Sequence, residues 1–178
     1  MKSIDRADTE EVSLLESAGY ALASALMTVG VHELGHAAMG EILGADDVEI
    51  LLFGEGHIGF TRLRGDFSEG DLKLIDLAGI MATYGLGELF EGLIFHDVIP
   101  ERAQPFFATW TLLLKSDLYL QTAQSAFEEG SDLAKFSDRT GFDKAGYLGF
   151  IGLDILFHHE TYVELLNEAR FFKPEKDE

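Results

Sequence analysis

The sequence predicts a mainly α protein, a bundle of four to five helices with one small β-hairpin directly after the first helix. Three observations predict it. Apolar residues recur with helical spacing through four long stretches, at about 11–43, 71–95, 104–127 and 142–169. Strand-like runs are confined to 48–53 and 57–63, on either side of Gly54-Glu55-Gly56. With 178 residues, 47 % of them apolar and 25 % charged, the chain reads as a single domain able to bury a core, not as a disordered segment.

Taken in order, residues 1–10 are polar and charged and are expected to be a flexible entry, as 173–178 are a flexible exit. The first helix follows, with a weakly polar stripe of Ser13, Ser17, Ser24 and Thr28, and Gly44-Ala45-Asp46-Asp47 ends it. Val48 to Phe53 and His57 to Leu63 then alternate and branch as a hairpin does. After a loop holding Gly65, Asp66 and Gly70, the second helix gathers Lys73, Asp76, Thr83 and Glu91 on one side. Its glycines at 79, 85, 87 and 92 would let another helix come close. Pro100 and Pro105 bracket a turn into the third helix, which is rich in aromatics (Phe106, Phe107, Trp110) and is closed by Glu128-Glu129-Gly130. Ser131 or Asp132 is a cap for a short helix, and the last helix runs from about 142 to 169. There is no internal repeat.

Charge and composition exclude several functions. A net charge of -19 leaves no basic patch to neutralise phosphates, so nucleic acid is not a partner. It also favours solubility over docking on anionic lipid. The absence of cysteine removes disulfides, thiolate metal sites and cysteine nucleophiles, so any zinc must be held by histidine and carboxylate. Met1-Lys2 leads into acidic and polar residues, not into the apolar run of a secretory signal.

The chemistry-bearing stretch is Val31-His32-Glu33-Leu34-Gly35-His36. On a helix, a spacing of four residues puts His32 and His36 on one face, a turn apart, where two imidazoles can grip one Zn²⁺. Glu33 is then positioned to take a proton from water that the cation has acidified to a pKa of about 7. The motif closes a segment of small and apolar residues, 18–31, and ionisable groups are costly in such surroundings unless paired or metal-bound. A catalytic zinc also needs a third protein ligand. A third histidine six residues after His36 is excluded, because Ile42 stands there and Met39 replaces the glycine that pattern needs. Glu88, Glu91 and Glu160 are candidate helix-borne ligands. A di-iron bundle would need a second E-x-x-H, and none exists.

From about Gly30 to Gly141 the order of elements resembles the site-2 protease family of intramembrane zinc metalloproteases. The resemblance rests on H-E-L-G-H at 32–36 with Ala37-Ala38-Met39-Gly40 after it, and on the hairpin from Val48 to Arg62. It continues through Leu77-Ala78-Gly79, opening the next apolar helix, and an aspartate after the third. It implies a downstream aspartate as third zinc ligand. Asp132, in Gly130-Ser131-Asp132-Leu133, is the best match; Asp117 is the runner-up and Asp138 the third choice. No glycine follows Asp132 and the family's Asn-Pro context is missing. Read without the family, Asp132 is equally a helix cap, and Asp117 needs a neighbour such as Lys115 or a polar cavity to line. His57 is expected to be a strand histidine. His158 and His159 point about 100° apart, so they are expected on a helix-end surface and not on a shared metal.

The expected activity is therefore hydrolysis of a peptide or protein substrate, with His32, His36 and Asp132 on Zn²⁺ and Glu33 as general base. Two other classes answer to the same residues: a metal-binding module without turnover, and a protein-interaction domain whose histidines never meet a metal. For location, the resemblance implies an integral or membrane-associated protein. Hydropathy alone implies a soluble cytoplasmic bundle, because the longest uncharged stretch is the sixteen residues 17–32, short of the roughly 20 a spanning helix needs.

Overall fold

The computed structural model describes residues 13–54, 57–125, 131–142 and 144–169. The expected flexible ends, 1–10 and 173–178, lie outside them, as do Glu55 and Gly56 of the expected turn and the segment 126–130, with the expected end of the third helix at Glu128-Glu129-Gly130. Helix α1 is Leu14–Ile42, followed by strands β1 (Asp47–Gly54) and β2 (His57–Arg64). Helix α2 is Glu69–Phe95, α3 is Gln104–Ser125, α4 is Asp132–Thr140 and α5 is Lys144–Glu168. Among the described residues, five helices and one hairpin make up the predicted bundle.

Local chemistry sets the helix starts. Ser13 caps α1 and Ser68 caps α2, each accepting from the third helical N–H while Glu16 or Asp71 reaches back to the cap's own N–H. This reciprocal box places the start of α1 three residues later than apolar periodicity suggests, and that of α2 two residues earlier. Ser131 caps α4 by accepting from Ala134 N, and Gly141, at φ 70°, ends it in the left-handed region where a side chain would be strained. The hairpin pairs antiparallel from Asp47 opposite Arg64 to Gly54 opposite His57.

Helices α1, α2 and α3 pack on one another, the hairpin lies on α1, α4 bridges α2 and α3, and α5 covers α3. One apolar cluster joins Ile94, Ile99, Ala108, Leu165 and Ala169; a second joins Ile80, Leu118, Leu133 and Tyr147. The second fixes α4 through Leu133, only 1 % exposed, and so fixes the position of Asp132 next to it.

Between the apolar clusters the interior is unusually polar. Lys115 of α3, with no exposed surface, is bound by Glu91 and, at 2.7 Å, by Glu88, both on α2. Its ammonium also lies 5.8 Å and 5.5 Å from the ring centres of Tyr84 and Tyr162. Asp154 of α5 is the hub of a second network. It accepts from Tyr84 at 2.6 Å, Tyr162 at 2.6 Å, His158 at 2.9 Å and Tyr119. Four donors fill the lone pairs of one carboxylate, which is how a charge this deep is tolerated.

Candidate metal centre

α1 and α2 come unusually close around the histidines. A Cβ on Gly35 would lie 2.5 Å from Ala78 O, and one on Gly79 would lie 2.5 Å from His36 Nε2 and 2.6 Å from His32 Nε2. Glycine at both positions removes the side chains that would hold the two helices apart. α2 therefore forms a wall of bare backbone beside the two ring nitrogens.

His32 and His36 are both buried, one turn apart on the same face of α1, with ring centres 4.8 Å apart. Each ring is oriented from behind. His36 Nδ1 donates to the backbone carbonyl of Ile75 at 2.6 Å, and His32 Nδ1 donates to Asp117 Oδ2 at 2.7 Å. Thr83 of α2 donates to the same Asp117 oxygen at 2.8 Å. A carbonyl can only accept, so the proton of neutral His36 must be on Nδ1; a carboxylate draws the His32 proton to Nδ1 in the same way. Both Nε2 lone pairs are then free.

Those lone pairs face each other and one carboxylate oxygen. His32 Nε2 and His36 Nε2 are 3.1 Å apart, and each is 3.0 Å from Asp132 Oδ2. Three electron-pair donors in van der Waals contact repel unless something positive stands among them. Ligand atoms about 2.0–2.1 Å from a tetrahedral zinc are about 3.3 Å apart, so the triangle fits a metal after opening by a few tenths of an ångström. Among the described residues this is the one group of three histidine or acidic side chains arranged to hold an ion. A proton can also fill the gap. Burial alone pushes the His32 pKa down, but its hydrogen bonds with Asp117 and Asp132 outweigh this and push it up to about 10. Burial would likewise raise the Asp132 carboxyl, yet the hydrogen bonds with His32 and His36 hold it far below the usual carboxylate range.

Asp132 is presented at the first position of α4, and α4 is anchored on α2 by Arg139. The guanidinium donates to buried Asp76 at 2.8 Å and is 3.8 Å from Glu69. Lys135, a turn after Asp132, is 3.3 Å from its other oxygen. Glu33 is 7 % exposed and accepts from Thr61 Oγ1 of β2 at 2.8 Å. Asp76, Asp132, Lys135, Glu33 and Thr61 border a cleft of about 890 Å³ between α1, α2, α3, α4 and the hairpin. Ile58, Phe60 and Leu63 of the hairpin give it apolar lining, and Gln121 and Gln124 of α3 line it as well.

The structure thus brings together His32, Glu33, His36 and Asp132, and gives Asp117 a different place from the ligand role considered for it. Asp117 lines the cleft and orients His32 from behind, and Lys115 pairs across to α2 instead of to Asp117. Asp138 and Glu160 are exposed, and Glu88 and Glu91 are committed to Lys115. His158 sits in the middle of α5 on Asp154, not at a helix end, while His159 is exposed. His57 begins β2, and its side chain lies outside the described set. Sequence reasoning missed Thr61 and the Ile75 carbonyl, and placed Thr83 on the polar side of the second helix without its partner Asp117; all three become partners only through tertiary packing. The chain matches no protein-family model, no curated protein and no solved structure.

Proposed function

We propose that the chain is a zinc-dependent metallopeptidase, similar in plan to the site-2 proteases, with His32, His36 and Asp132 as metal ligands and Glu33 as general base. The observation that carries this is the convergence of three acceptor atoms whose rings and carboxylate are already fastened from behind. Two imidazoles and one carboxylate are a donor set that suits zinc, and three protein ligands are what catalytic zinc sites carry. A zinc ion held there would acidify water and polarise the scissile carbonyl.

The rest of the chemistry falls to the chain's own groups. Glu33 accepts the proton of the attacking water and returns it to the leaving amine. Asp117 and the Ile75 carbonyl keep both imidazoles in the tautomer that leaves Nε2 free. β2 borders the cleft and offers an edge where an extended peptide can pair through its backbone, so the substrate is a peptide or protein segment.

Membrane association belongs to the same proposal. Leu22, Met81, Leu89, Leu148, Leu156 and Phe157 are each more than half exposed, far more apolar surface than a water-facing bundle needs. Among the described residues, Glu69–Phe95 is the one helix long and apolar enough to cross a membrane.

The test is metal content and peptide turnover of purified protein. The parent is expected to hold one zinc and cleave a casein or peptide substrate; His36→Ala and Asp132→Ala should lose the metal. Glu33→Gln should keep it and lose turnover by about 100-fold or more. A parent chain that copurifies with no metal and gains none on titration overturns the assignment. A parent that holds zinc and cleaves nothing leaves a metal-binding module. Partition into the detergent phase, not the aqueous one, is the expected result for location.

A further inference from the structure

The proposed base is held by the hairpin, not by the helix that carries it. Glu33 leaves α1 toward β2, where residues 59 and 61, two apart and so on one face of the strand, lie against it. Thr61 Oγ1 lies 2.8 Å from Glu33 Oε2 and 2.9 Å from the backbone oxygen of the same residue. Gly59 passes over the other oxygen. It has φ +74°, and a Cβ there would lie 2.4 Å from Val29 Cγ1 and 3.1 Å from Glu33 Oε1. Gly59 lies in the ladder between two pairs of one register, Leu51 with Phe60 and Phe53 with Ile58.

We infer that Thr61 is a positioning residue for Glu33, holding Oε2 so that Oε1 faces the cleft, and that Gly59 keeps the space beside Oε1 free. One hydroxyl hydrogen serves two acceptors on one residue. While Glu33 is a carboxylate, Thr61 donates to Oε2. A proton arriving on Oε1 leaves that bond in place. If the proton is on Oε2, Oε2 donates to Thr61 and the threonine hydrogen turns to the Glu33 carbonyl. The base therefore keeps a hydrogen bond to the hairpin in both protonation states, and its aim does not change as it cycles. Because the proposed peptide edge belongs to the same strand, the side chain that aims the base and the backbone that would seat the substrate move together.

This inference rests on the hydrolase proposal, and the experiment separates the two. Thr61→Val keeps the shape and removes the hydroxyl; Thr61→Ser keeps the hydroxyl. Both variants should hold the parent's zinc and melt within a few degrees of it. Thr61→Val should lose about 10- to 100-fold in kcat with KM unchanged, and Thr61→Ser should recover most of the loss. A purely structural role for Thr61 would lower melting temperature or metal content and would not split kcat from KM. The second readout is the Glu33 side-chain ¹³Cδ signal, assigned through Glu33→Gln, which Thr61→Val should shift and Thr61→Ser should not. A parent without turnover sinks the hydrolase proposal and leaves the carbon signal to decide on Thr61. An unmoved signal in Thr61→Val, or parent-level kcat in that variant, overturns the inference.

Discussion

Replacing Gly79 by alanine is expected to weaken zinc binding at the candidate centre while leaving the bundle folded. The added Cβ would lie 2.5 Å from His36 Nε2, 2.6 Å from His32 Nε2 and 2.7 Å from His32 Cδ2. Ordinary contact between such atoms is about 3.5 Å, so roughly 1 Å must be found. The rings cannot supply it cheaply. Turning either one breaks its Nδ1 hydrogen bond, to Ile75 O or to Asp117, and a buried polar group left unpaired costs about 1–3 kcal/mol. Moving α2 away would instead open the close approach at Gly35. Either adjustment spoils the convergence of the two Nε2 atoms, and zinc affinity is expected to fall by at least about 10- to 100-fold, the size of effect seen when a ligand's orienting partner is lost. Gly85→Ala, on the same helix with no atom within 4 Å of its new Cβ, is the control. It should bind zinc as the parent does and gain up to about 1 kcal/mol of stability from the better helix former. Zinc titration by competition with a chromophoric chelator, with thermal melting alongside, measures both. Parent-like zinc affinity in Gly79→Ala would refute the packing argument and, with it, the placement of the ion between the two rings.

The remaining expectations concern the groups around the ligands. Asp117→Asn removes the charge that holds the His32 proton on Nδ1 and should weaken zinc binding by about 10-fold or more, read by the same titration. Arg139→Ala uncouples α4 from Asp76 and leaves that buried carboxylate without its cation; a loss of about 1–3 kcal/mol in urea unfolding and weaker zinc binding are expected. In the metal-free protein, His32 has its pKa raised from 6.5 to about 10, so the stability it contributes is complete below pH 6.5 and is lost as pH rises through about 10. Melting of chelator-treated protein should therefore drop over that window, while zinc-loaded protein should not follow it. Loading should release protons, detectable as a buffer-dependent heat in calorimetry at pH 7.

How much of this was legible before the structure depended on how local the signal was. The helices and hairpin were, because spacing, caps and turn residues lie within a few positions of each other; of the two caps open for the short helix, Ser131 and Asp132, the structure takes Ser131 and makes Asp132 the first helical residue. His32 and His36 were legible for the same reason, since four residues along a helix fix their relation. Asp132 is ninety-six residues beyond His36 and came from resemblance, not from periodicity. That Asp117 lines a polar cavity was one of the two readings open to it, but its hold on His32 and the pairing of Lys115 with Glu88 and Glu91 were out of reach, because they depend on which side of α3 meets α1 and which meets α2. Neighbours in sequence at a separation of two do not face each other on a helix, so pairing them was the wrong geometry. Thr61 sits in an unremarkable strand, and only the docking of the hairpin on α1 turns it into a partner of Glu33.

The opposed anchoring of Lys115 and Asp117 has a mechanical consequence. Two positions on, a helix has turned by about 200°, so the two side chains leave α3 in nearly opposite directions, and each is captured: one by Glu88 and Glu91, the other by His32 and Thr83. α3 is thereby denied rotation about its own axis, since any roll that relieves one anchor strains the other. Asp117 acts on the imidazole as a fixed stop instead of a side chain that can follow it. A ring that cannot swing keeps its lone pair on target, and the rigidity is set in the middle of the bundle, not at its mouth.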